Sequence, residues 1–122
     1  MEASLNTFGA VMTFAIDLEA RLRDYYRSAS ADDHAAAADK RRQTLERVRR
    51  ENVTEIKLEP IDGLDVADCQ LDLTDTSAAG QRAAAATAAR FYTDAAPKLN
   101  VREAQRALER CARHHRALAA DA

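Results

Sequence analysis

The chain of 122 residues has no tryptophan, three phenylalanines, three tyrosines, three glycines, two prolines and two cysteines. Each scarcity excludes something. Cys69 and Cys111 lie far apart in segments of different character, so they make neither a disulfide framework nor a zinc-ligand spacing. They are expected to be two reduced thiols in a cytoplasm. Three scattered glycines build no phosphate-cradling loop, and no serine or cysteine stands in a nucleophile motif. Long apolar runs are also missing. The most apolar stretch, Leu5 to Leu22, is broken by Asp17, Glu19 and Arg21 before it could span a bilayer or serve as a signal peptide. No targeting motif marks the C-terminus.

Charge of one sign is lacking as well. The net charge is −2 with 31% charged residues, which gives no reason to invoke nucleic acid or a membrane as partner. The distribution is uneven, though. Residues 53–76 hold seven acids and one lysine, whereas 77–122 hold eight bases and four acids. The acidic stretch is read as solvated or laid across basic helix faces, with an acidic docking surface as the alternative. The Lys40-Arg41-Arg42 run is read as a solvated helix face.

What is present is alanine and helical periodicity. Nearly half the chain is apolar, much of it alanine. Such helices pack closely and leave little room for a large ligand. The alanine and arginine content also points to a GC-rich bacterial coding sequence. Over 3–29, Leu5, Phe8, Val11, Met12, Ala15, Leu18, Leu22, Tyr25 and Tyr26 recur at three- and four-residue steps, with Ser4 or Asn6 as cap. A second helix over 33–52 has a thin apolar face of Ala38, Leu45 and Val48. Its Asp39, Glu46 and Glu51 sit among basic residues with which they can form local ion pairs. A third, alanine-rich helix over 77–96 is stopped by Pro97. A fourth over 99–120 opens at Asn100 with Glu103 in a capping-box pattern. Its stripe is Val101, Ala104, Leu108, Cys111, His115 and Leu118. Between the second and third helices, 53–76 reads as an extended connection that pins apolar residues onto the bundle, or as a short strand pair. Pro60 and Gly63 interrupt helix there. Extended chain of that length easily returns along a 20-residue helix of about 30 Å.

These elements predict one all-α domain, a four-helix bundle with a long crossover between helices 2 and 3. With that connectivity, the run from Phe14 to Tyr26, carrying Glu19 inside an apolar arc, resembles the first helix of the ferritin-like superfamily in its smaller rubrerythrin-like form. The resemblance implies a di-iron site built from a carboxylate on each of two helices and a Glu-x-x-His on each of the other two. The chain departs from that pattern. Glu46 is followed three later by Arg49, the third helix has no glutamate, and Glu109 is followed by Ala112 and points about 100° away from Leu108. One carboxylate of four matches, so no di-iron cofactor is expected.

Glu19, Arg41 and His115 nevertheless fall on the faces assigned as buried. Three arrangements are open to Glu19. It can pair with Arg41, a base standing where metal charge was lost. It can be partly exposed or sit at a dimer interface. Or it can join Cys111 and His115, four apart on one face, around a single iron or zinc ion. In the paired case, Glu19→Leu with Arg41→Met is expected to be near neutral. His34, followed by four alanines, and His114 are candidates for histidine phosphotransfer. The expected function is a non-catalytic bundle acting through protein contacts, either with itself or with another protein. Phe14, Tyr25 and Tyr26 form the candidate contact surface. The alternatives are a metal-binding or redox member of the same superfamily, or a phosphotransfer bundle.

Overall fold

The computed structural model describes residues 7–52 and 70–120. Four helices account for most of them: α1 Phe8–Ser28, α2 Asp32–Glu51, α3 Ala78–Ala95 and α4 Arg102–Ala120, with a 3-10 turn at Ala96–Lys98 between the last two. The fold is the expected all-α four-helix bundle. Cys69, Pro60 and Gly63 lie outside the described residues, as do Ser4 and Asn6.

Local chemistry sets the helix ends. Thr7 caps α1, its hydroxyl accepting from the Ala10 amide at 3.1 Å, and Ser77 caps α3 by accepting from Gly80 at 3.2 Å. The α1 C-terminus closes with the Ala31 amide on the Tyr26 carbonyl at 2.8 Å and the Ser30 amide on the Arg27 carbonyl at 3.1 Å. That is the Schellman arrangement, with Ser30 at φ 60° in a place that favours glycine. Helix α4 starts at Arg102, three residues later than the sequence suggests. Asn100 is therefore outside the helix rather than its cap, and Glu103 is drawn elsewhere. Its Oε1 accepts from Nδ2 of the buried Asn52 at 2.8 Å, which ties the end of α2 to the start of α4.

The helix directions follow from cross-helix contacts. Arg23 reaches Asp39 and Glu19 reaches Arg41, so α1 and α2 are antiparallel. Phe14 lies 4.8 Å from Phe91 near the end of α3, while Tyr25 near the end of α1 donates to the Asp75 carbonyl just before α3 begins. Helices α1 and α3 are therefore antiparallel, and α2 and α3 run the same way. The end of α2 and the start of α3 therefore lie at opposite ends of the bundle. The two hairpins α1–α2 and α3–α4 are densely packed. They meet along two sparser seams, α2 against α4 and α1 against α3.

The segment 70–77 has neither helix nor strand. Leu71 is buried in the core and Leu73 is partly buried against it. The acids here form local turns: Asp72 accepts from Thr74 and Asp75 from the Ser77 amide. Gly80 is buried beneath this segment. A Cβ there would meet the Asp75 carbonyl oxygen at 2.1 Å, so the close passage of the loop over α3 requires glycine. Tyr25 and Tyr26 are 4% and 1% exposed. They belong to the core, and only Phe14 of the candidate contact surface remains partly open.

Candidate functional site

Each helix sends one polar side chain to the centre. Glu19 sits on the buried arc of α1 between Ala15 and Leu22. Arg41 follows Ala38 on α2, Tyr92 follows Ala88 on α3, and His115 follows Cys111 on α4. Side chains lean toward the N-terminus of their own helix, so those on antiparallel neighbours lean toward each other. This brings Tyr92, near the end of α3, level with His115, deep in α4. Their rings stack at 5.5 Å with an interplanar angle of 4°.

Glu19 is the hub and is fully buried, as is His115, while Arg41 is 7% exposed. Arg41 Nε donates to Glu19 Oε1 at 2.8 Å. On the other oxygen, Oε2, the Tyr92 hydroxyl donates at 2.6 Å and His115 Nε2 lies at 2.8 Å. A carboxylate offers about four acceptor positions, and three are in use. Burial pushes the Glu19 carboxyl up. The hydrogen bond and charge of His115, the charge of Arg41 and the Tyr92 hydroxyl together outweigh burial and hold its pKa below the ordinary 4.5. Burial, reinforced by Glu19's charge, raises the Tyr92 hydroxyl well above its usual range. The same two causes, in the same order, push the Cys111 thiol up to about 12.

This chemistry is poorly suited to a metal. A cation at Glu19 would lie beside the Arg41 guanidinium. Two unit charges about 4 Å apart repel by about 4 kcal/mol at an effective dielectric of about 20, and a divalent ion doubles that. Cys111 ligates only as thiolate, and its surroundings favour the protonated form. Among the described residues, no group of three or more His, Cys, Asp or Glu side chains is placed to hold a metal ion. The structure thus brings Glu19, Arg41 and His115 together and adds Tyr92, which sequence reasoning missed. The available signal was a tyrosine on an alanine helix, since a buried hydroxyl needs a partner. Three buried polar atoms have no partner among the described residues: Tyr26 OH, Arg41 Nη2 and His115 Nδ1.

The other histidines are peripheral. His34 is half-buried with its ring 5.4 Å from that of Tyr26. His114 is exposed, and burial followed by the Arg41 charge lowers its pKa. The expected helix-surface ion pairs are present as Arg42 with Asp39 at 2.8 Å and with Glu46 at 3.0 Å. No helix among the described residues is long and apolar enough to cross a membrane. Compared with protein-family models, curated proteins and solved structures, the chain matches none.

Proposed function

We propose that this chain is a non-catalytic bundle of ferritin-like shape that works in the cytoplasm through protein contacts, self-association first among them. The observation that carries the reading is the occupation of Glu19. Glu19, the carboxylate that the ferritin-like resemblance would make a metal ligand, is bound by Arg41, Tyr92 and His115. Arg41 supplies the positive charge that a metal would otherwise bring. The direction of the helices, with α2 and α3 parallel, is the arrangement that a ferritin-like crossover produces. Closed two-fold dimers are the commonest assemblies of such domains.

Two measurements test the proposal. Anaerobic titration of the purified protein with ferrous iron and with zinc, followed by calorimetry, should show no saturable site, whereas a stoichiometric site lost in Glu19→Gln would remove the reading. Sedimentation velocity over a wide concentration range should show a dimer. A strict monomer at every concentration would remove self-association and leave only a different protein as partner.

A further inference from the structure

We propose that the cleft between α2 and α4 is a binding site for a small organic carboxylate. The two helices meet along a sparse seam, and a cavity of about 200 Å³ opens there. Its lining repeats on both sides at helical spacing. Ala37, Lys40, Arg41 and Thr44 come from α2, and Ala107, Arg110, Cys111 and His114 from α4. Alanines at matching positions make the gap. The charged side chains around it are all basic.

The floor of the cleft points to an anion. Arg41 is more than nine-tenths buried. Among the described residues its only hydrogen bond runs from Nε to Glu19, and its Nη2 is buried with no partner. A guanidinium held through Nε presents its two amino groups as a planar fork, the geometry that matches a carboxylate. Glu19 fixes the direction of that fork. Lys40 and Arg110 are exposed at the rim, and among the described residues neither is in a salt bridge. The Cys111 thiol, held protonated by its surroundings, adds no negative charge against an anion. At about 30 Å³ per water-sized volume, the cavity takes roughly six or seven such units, which suits a carboxylate whose body is a single aromatic ring or a short aliphatic chain. The alanine walls favour an apolar body over a bare inorganic ion.

The test uses benzoate as probe, benzamide as its uncharged counterpart and inorganic phosphate as an anion without an apolar body, each titrated into the intact chain and followed by amide chemical shifts. Benzoate should move resonances of α2 and α4 around the cleft, with benzamide at least tenfold weaker and phosphate weaker than benzoate. Ala107→Leu, which fills the cavity, should weaken benzoate at least tenfold. Ala37→Leu at the exposed rim and Lys40→Ala with Arg110→Ala serve the same purpose if the buried substitution does not fold, and each should weaken benzoate several-fold. Equal binding of benzoate and benzamide, unchanged benzoate binding in the filled variants, or no benzoate response would overturn the site. A tighter response to phosphate would overturn the carboxylate class.

Discussion

Removing the Glu19 carboxylate is the sharpest perturbation the structure offers. Glu19→Leu would leave the Arg41 guanidinium buried without its partner. Breaking a buried pair from one side costs about 3–5 kcal/mol. Two further donors, the Tyr92 hydroxyl and the His115 ring N–H, would also lose their acceptor, at about 1–3 kcal/mol each. The total of about 5–11 kcal/mol is comparable with the whole stability of a domain this size, about 5–15 kcal/mol, so Glu19→Leu alone should unfold the protein. Glu19→Gln keeps a carbonyl acceptor and should cost about 3 kcal/mol. Arg41→Met, which strands the carboxylate, should cost about 3–5 kcal/mol. The double variant should fall short of the sum by about 2 kcal/mol or more, the coupling expected of residues in one network. Urea unfolding followed by circular dichroism measures all four proteins. Glu19 titrates below its ordinary value in the fold, so its contribution is present above pH 4.5 and disappears as the pH falls through the folded value. The coupling should therefore shrink in acid. Additive single effects, or silent ones, would refute the hub. A bare Glu19–Arg41 pair would make Glu19→Leu with Arg41→Met near neutral. The two extra donors instead leave a residual cost of about 2–6 kcal/mol.

Three further outcomes test other parts of the fold. Gly80→Ala should destabilise by at least about 2 kcal/mol, since its Cβ would overlap the Asp75 carbonyl oxygen; thermal unfolding reads it, and an unchanged midpoint would mean that the loop does not pass over α3. Ser30→Gly should stabilise by about 0.5–1 kcal/mol by relieving φ 60°, read from the same melts, and a loss of stability would contradict that backbone assignment. In alkali, Cys111 and Tyr92 titrate above their ordinary 9.0 and 10.0, so the folded state holds protons that the unfolded chain releases and stability should fall from about pH 9 upward. Cys111→Ala should flatten that decline between pH 9 and about 12, and an unaltered slope would show that the thiol is not buried beside Glu19.

Much of this was legible in the sequence, and the reasons are particular. Glu19 stood four residues after Ala15 and three before Leu22, so helical periodicity alone put it in the core. A buried carboxylate must find a partner, and the count of residues along two antiparallel helices put Arg41 at its height. Tyr92 was hidden because an aromatic ring on an alanine helix satisfies a purely apolar reading. Its hydroxyl matters only once the position of Glu19, on α1, is known. Asn100 looked like a cap because its spacing to Glu103 was right, but Asn52 from another helix competes for that carboxylate. Tertiary contacts of this sort leave no local pattern. Nor does Gly80, whose requirement is imposed by a loop passing overhead. The cleft escaped notice because its alanines, read singly, indicate tight packing. Only their placement opposite each other on a sparse seam makes a gap.

A protein cation, Arg41, neutralises the carboxylate at the heart of the bundle. Elemental analysis of protein produced in iron- and zinc-supplemented medium, purified without chelator, tests it most directly, with Glu19→Gln prepared alongside. Only trace metal is expected in both preparations. Near-stoichiometric iron or zinc in the natural sequence that disappears in Glu19→Gln would contradict this and make Glu19 a metal ligand.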